Sequence, residues 1–181
     1  MFVLVTGGSG SGKSEFAENI AMSYYKTEVL KIKKKNKQLP FIYLATMISF
    51  DKETEDKINR HKRMREKKQF QTIECFTGLK EIKLPQSGIV LLDCISNLTA
   101  NEMFQKNGAG RNTFSDVIEG ITSLKSQCMH LIVVTNEIFS DGCVYEEDTK
   151  EYMKCLGNIN KKMASMADQV VEVVCGIPVY L

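Results

Sequence analysis

The chain has no Cys-x-x-Cys pair, no long apolar run, no excess of one charge and only two histidines. Each shortage removes a class of protein. The six cysteines, at positions 75, 94, 128, 143, 155 and 175, are too dispersed for a zinc ribbon or a small disulfide scaffold, and reduced, structural thiols are expected. No stretch approaches the roughly 18 apolar residues of a membrane span, and no basic segment precedes the opening MFVLV. The expectation is a cytoplasmic protein without a membrane span. Lys and Arg number 24 against 22 Asp and Glu, a formal charge of +2, so the whole-chain field favours neither nucleic acid nor lipid and any basic site must be local. Internal repeats and low-complexity linkers are also absent. What remains is ordinary: 181 residues, 43% hydrophobic and 25% charged, the composition of one globular domain spanning 1–181.

Periodicity divides the chain into alternating strands and helices. Phe2 to Val5 is a short apolar strand leading to Thr6-Gly7-Gly8, and Phe16, Ile20 and Tyr24 then recur at helical spacing over 13–25. Phe41 to Ala45, Gln71 to Cys75, Gly88 to Asp93, His130 to Thr135 and Val170 to Cys175 read as further strands, with Val179 to Leu181 after a turn at Gly176. Tyr152, Leu156, Ile159, Met163 and Ala167 mark an amphipathic helix over 149–167. The NGAGRN segment, 107–112, reads as a loop between helical stretches. Such alternation predicts an α/β fold, a mostly parallel sheet with helices on both faces. Two segments fit this plan less easily. Lys31 to Lys37 is strongly basic and reads as a solvated loop, with a clamp for an anion as the alternative; residues 53–68 are charged with few apolar anchors, chiefly Ile58 and Met64.

The chemistry is carried by Gly7-Gly8-Ser9-Gly10-Ser11-Gly12-Lys13-Ser14, which matches G-x-x-x-x-G-K-[ST] between a predicted strand and a predicted helix. Small residues let successive backbone N–H groups curl around phosphate oxygens at a helix N-terminus, where the macrodipole also favours negative charge. Lys13 is placed to bridge the β- and γ-phosphates. The Ser14 hydroxyl is expected on Mg²⁺, with Asp93, at the end of its apolar strand, as the second metal-side oxygen ligand. Read alone, Asp93 has a helix N-cap or surface acid as its other, less favoured reading. The chain is therefore expected to bind a nucleoside triphosphate, GTP or ATP, with magnesium.

His61 sits in Arg60-His61-Lys62-Arg63-Met64-Arg65. Surrounding cations keep an imidazole unprotonated and nucleophilic and draw phosphates toward it, so a nucleotidyl-histidine is one reading; an exposed histidine on a basic face is the other. His130, opening an apolar strand, reads as a structural histidine.

In order along the chain, residues 6–21 (TGGSGSGKSEFAENIA), Tyr43-Leu44-Ala45-Thr46, the segment 51–62 ending in Arg60-His61-Lys62, Thr72-Ile73-Glu74, Leu91-Leu92-Asp93-Cys94, Val134-Thr135-Asn136-Glu137 and the tail from Leu156-Gly157-Asn158 through Ala167-Asp168 to Gly176-Ile177-Pro178 resemble the bifunctional adenosylcobinamide kinase / adenosylcobinamide-phosphate guanylyltransferase family. The resemblance runs nearly end to end. It implies a RecA-like P-loop fold and a homo-oligomer, with trimers suggested. It also implies two reactions: phosphorylation of adenosylcobinamide by a nucleoside triphosphate, then transfer of GMP from GTP onto that phosphate. By the same likeness His61 carries GMP and Gly7 to Ser14 hold the triphosphate. Ala45, Thr46 and Met47 then line the nucleotide, Lys62, Arg63 and Arg65 contact it, and Glu74 and Asp93 add polar or metal contacts. The chain departs from the family pattern at Gly10, where an Arg is frequent, at 139–145, where a Gly-x-Gly-Ile-Val-Pro is usual, and at Phe70, where a Trp is expected. The residues before Leu156 depart as well, with Lys150, Glu151 and Lys154 in place of arginines.

Two other readings stay open from sequence. One is a small-molecule P-loop kinase without nucleotidyl transfer. The other is a non-catalytic GTP-binding regulatory module. A nucleic-acid partner is not expected, because the basic tract lacks interleaved aromatics for stacking.

Overall fold

The computed structural model describes residues 1–32, 39–49, 52, 70–140 and 142–181. Its strands, in chain order, are β1 (Phe2–Thr6), β2 (Phe41–Ala45), β3 (Gln71–Glu74), β4 (Ile89–Asp93), β5 (His130–Val134), β6 (Gln169–Val174) and β7 (Ile177–Tyr180). They form one sheet in the order β3-β2-β4-β5-β1-β6-β7, parallel throughout except for the antiparallel β6–β7 hairpin. Four α-helices lie among the described residues: α1 (Lys13–Ile32), α2 (Ile95–Phe104), α3 (Thr113–Gln127) and α4 (Glu147–Met166).

Strand side chains alternate between two apolar layers, as a pleated sheet covered on both faces requires. Phe2, Leu4, Ile42, Leu44, Val90, Leu92, Leu131 and Val133 face the layer closed by α2, α3 and α4 through Ile95, Leu98, Val117, Ile121, Leu124, Leu156, Ile159 and Met163. Val3, Val5, Phe41, Tyr43, Leu91, Ile132 and Val134 face the other way, where α1 supplies Ala17 and Ala21 with Phe16, Ile20 and Tyr24 partly buried beside them. Phe70 completes that second layer, stacked on Phe41 at 3.8 Å and edge-on to Tyr43 at 5.8 Å. The predicted α/β architecture is therefore the observed one.

Several boundaries differ from the sequence reading. The first helix does not end near Tyr25 but runs two turns further, to Ile32. The reason is tertiary: Glu28 is buried, Tyr24 stacks on the His130 ring at 4.5 Å, and Glu28 Oε1 lies 3.5 Å from His130 Nε2. Lys31 is consequently not in a loop; it closes the last turn of α1 and donates to Glu28 at 2.7 Å. The remainder of the basic run, 33–38, lies outside the described residues, as do 53–69. Within NGAGRN, residues Gly110–Asn112 form a short 3-10 turn. Cys75, Cys94, Cys128, Cys155 and Cys175 are free thiols.

Candidate active site at the carboxyl edge of the sheet

Parallel register places the ends of five strands in one row: Val5 of β1 pairs with Val134, Val134 with Asp93, Asp93 with Ala45 and Ala45 with Glu74. The described candidates Ala45, Glu74 and Asp93 therefore share one edge of the sheet with the loop that follows Val5, the edge at which open α/β sheets bind ligands. They are not equidistant from the glycine-rich loop that follows β1. At about 4.8 Å per strand, Asp93 lies roughly 10 Å along the row from Val5 and Glu74 roughly 19 Å.

The glycine-rich loop folds back on itself. Ser11 N–H donates to the Gly8 carbonyl at 3.2 Å, and the Lys13 ammonium donates to that same carbonyl at 3.0 Å. Gly7 must be glycine: its φ is +154°, and a Cβ there would stand 2.5 Å from the Val173 carbonyl oxygen. α1 begins at Lys13, so its first-turn N–H groups lack intrahelical acceptors and open into the loop with the positive end of the helix dipole. Ser9, Gly10 and Gly12 are exposed, and Ser14 is half-buried. Lys13 is only 9% exposed. Burial pulls its pKa below the usual lysine value, while Cys94 and Asp93 nearby push it the other way. That cation is desolvated and close enough to Asp93 to feel its charge.

Asp93 ends β4 half-buried, and its Oδ2 accepts a 2.9 Å hydrogen bond from the Tyr43 hydroxyl. The residue at the N-cap of α2 is Cys94, so Asp93 is not the cap of that helix. The Cys94 thiol is pushed up to about 12, first by burial and then by Asp93, which keeps it neutral beside the carboxylate. Ala45, paired with this acid across the strands, and Met47 are half-buried. Thr46 between them is wholly buried, and its polar atoms are engaged inside the protein. The hydroxyl donates to the Cys94 carbonyl and lies 2.8 Å from the Cys94 amide, and the Thr46 carbonyl accepts from Asn101 Nδ2 at 2.8 Å. It therefore ties the exit of β2 to that of β4. Glu74 is exposed at the end of β3. His61, Lys62, Arg63 and Arg65 lie outside the described residues.

The structure adds residues that the sequence reading did not single out. Tyr43 orients Asp93, Glu137 donates its amide to the Gly7 carbonyl at 3.0 Å, and Gly176 donates its amide to the Ser11 carbonyl at 2.8 Å. For Tyr43 the only sequence signal is a hydroxyl inside an otherwise apolar strand. The two amides carry no side-chain signal at all. In the segment that departs from the family pattern, the Glu137 carboxylate accepts from the Phe139 amide at 2.8 Å and the Ser140 hydroxyl at 3.0 Å. Among the described residues no three His, Cys, Asp or Glu gather into a metal-binding group.

A parallel sheet, a glycine-rich loop closing on a buried lysine between β1 and α1, and an acid at the end of β4, with β5 inserted between those two strands, define a P-loop nucleotide-binding protein. A family model described as "Cobinamide kinase / cobinamide phosphate guanyltransferase" matches residues 3–181, and the chain belongs to that family. It is accordingly an enzyme of cobalamin biosynthesis, with cobinamide kinase and cobinamide-phosphate guanylyltransferase activities. Two similar proteins are each described as a bifunctional adenosylcobalamin biosynthesis protein CobU. That of Salmonella typhimurium is 30% identical and that of Escherichia coli 28%, both over 194 aligned positions covering 99% of this chain and 98% of theirs. Solved structures that overlap it include the flagellar accessory protein FlaH of Methanocaldococcus jannaschii, at TM-score 0.46 and 11% identity, covering 94% of this chain and 70% of that one. The ATPase domain of G40P overlaps at TM-score 0.49 and 13% identity, covering 94% and 68%. The fold assignment here stands on the strand order and the loop geometry themselves.

Proposed function

We propose that the loop from Gly7 to Ser14 holds the triphosphate for both reactions and that guanylyl transfer proceeds through a covalent GMP on His61. The observation that carries this reading is the buried ammonium of Lys13, held at the Gly8 carbonyl and electrostatically coupled to Asp93. In this reading one nucleotide site serves both steps.

In the kinase step the aminopropanol hydroxyl of adenosylcobinamide attacks the γ-phosphorus, the bond to the β-phosphate oxygen breaks, and Lys13 and the loop amides offset the charge on the transferring group. In the guanylyl step an imidazole nitrogen of His61 attacks the α-phosphorus of GTP and pyrophosphate leaves. The adenosylcobinamide phosphate then attacks the guanylyl phosphorus and the imidazole is released with the proton it carried. Lys62, Arg63 and Arg65 neutralise phosphate oxygens around His61. Ala45 and Met47 line the nucleotide, Thr46 positions the backbone that carries them, and Glu74, farthest along the row, contacts the ligand away from the phosphates.

Ser14 and Asp93 offer a hydroxyl and one carboxylate, the hard and sparse oxygen set that suits Mg²⁺ completed by phosphate and water. An ion held there would supply charge neutralisation to the transferring phosphate. The enzyme is proposed to be one domain, cytoplasmic and homo-oligomeric; among the described residues no helix is long and apolar enough to cross a membrane.

The test is covalent labelling. Protein incubated with GTP labelled at the α-phosphate is expected to retain acid-labile label after denaturation, and γ-labelled GTP is expected to leave none. Absence of label from either position, with GTP still bound, favours a kinase without nucleotidyl transfer.

A further inference from the structure

The glycine-rich loop is tied to neighbouring strand exits on both sides. Leaving β5, the Glu137 amide holds the Gly7 carbonyl; at the tip of the β6–β7 hairpin, the Gly176 amide holds the Ser11 carbonyl at 2.8 Å. The second contact is also steric, because a Cβ on Gly12 would stand 3.4 Å from the Gly176 Cα. The tip has the shape for this approach. Cys175 and Gly176 have φ of +50° and +79°, the two left-handed residues of a tight primed hairpin turn, between the paired Val174 and Ile177. At its open end the Leu181 amide donates to the Val170 carbonyl at 3.0 Å.

We propose that the Cys175–Gly176 turn is a positioning element for the triphosphate, with the Gly176 amide as its working group. A trans peptide is planar, and its carbonyl and N–H point in opposite directions. With the Ser11 carbonyl fixed toward the hairpin, the Gly12 N–H is held on the opposite side of the loop, alongside the first-turn amides of α1 that attract phosphate. Without the Gly176 donor this peptide plane is free to rotate, and binding must then order it. The last residues of the chain thus act on a site formed by its first fourteen. The inference rests on the reading of residues 7–14 as the triphosphate cradle.

The decisive variant removes one hydrogen-bond donor and nothing else. Ligation at Cys175 joins a recombinant 1–174 thioester to a synthetic 175–181 peptide in which the Gly176 amide is replaced by an ester; the same ligation with the normal amide is the control. The ester protein is expected to bind Mg²⁺-GTP about five- to tenfold more weakly, as the loss of one hydrogen bond implies. Its melting temperature without nucleotide is expected to fall slightly, because the same hydrogen bond is present without ligand, and KM for GTP is expected to rise while kcat at saturation stays put. GTP affinity of the ester protein within twofold of the control overturns the proposal. So does a fall in kcat with KM for GTP unchanged, which marks a loss of folded enzyme and not of positioning. Undiminished GTP binding by Lys13→Ala would instead overturn the cradle reading beneath it.

Discussion

The Tyr43 hydroxyl donates to the Asp93 carboxylate across neighbouring strands, at 2.9 Å. Tyr43 is itself 3% exposed and held edge-on by Phe70, so the aromatic layer under β2 fixes the orientation of an acid at the site. Asp93→Asn is expected to raise the magnesium concentration for half-maximal activity by about tenfold or more, since the proposed carboxylate ligand becomes a neutral amide. Tyr43→Phe should produce a smaller shift in the same direction. Magnesium titrations of both half-reactions check this, and an unchanged requirement in Asp93→Asn reduces Asp93 to a structural residue.

Lys13→Ala is expected to slow both half-reactions by about a hundredfold or more, because a preorganised cation is lost from the transferring phosphates. Steady-state assays of phosphorylation and of guanylyl transfer on the one variant decide whether the site is shared; retained kinase activity argues against it.

Burial also gives Lys13 a pH signature. Its folded pKa lies below the ordinary 10.5, so the unfolded chain binds more protons between the two values and stability attributable to this group rises with pH across that window, reaching its full gain above 10.5. Urea unfolding of wild type relative to Lys13→Met, measured from pH 8 to about 10.5, should show that relative gain. A flat difference means that the ammonium is not desolvated.

His61→Ala is expected to abolish guanylyl transfer and the acid-labile label from α-labelled GTP while leaving phosphorylation of the corrinoid measurable. Unchanged transfer eliminates the covalent histidine.

Thr46→Val keeps the shape of a fully buried residue and removes the hydroxyl that serves both the amide and the carbonyl of Cys94. A stability loss of about 1–3 kcal/mol is expected from the stranded backbone groups, read as a lower urea midpoint with an unchanged m-value.

Thiol reagents at pH 8 should distinguish the cysteines by environment. Cys175 is exposed and is expected to react within the fast phase. Cys75 and Cys128, pushed up to about 11 by burial, and Cys94, pushed up to about 12, stay protonated and shielded. A fast phase including Cys94 contradicts the packing around Asp93.

The apolar strands, their alternation with helices and the G-x-x-x-x-G-K-[ST] loop were legible in the sequence because each is a local pattern: period two or continuous burial in a strand, period 3.6 in α4, a fixed spacing around phosphate. Those patterns already determined the α/β class, the nucleotide chemistry and, together with the ordered family residues, the two reactions. What sequence could not decide were relationships between distant segments. Tyr24 and Glu28 carry α1 past Tyr25 only because they meet His130, a residue 102 positions from Glu28. Asp93 gains Tyr43 only through the pairing of β2 with β4. The Gly176 amide reaches Ser11 only because β6 lies beside β1. A backbone N–H is the same group at nearly every position, so its choice of acceptor leaves no mark in composition or periodicity; only strand order and register, settled when both faces of the sheet were buried, assigned it.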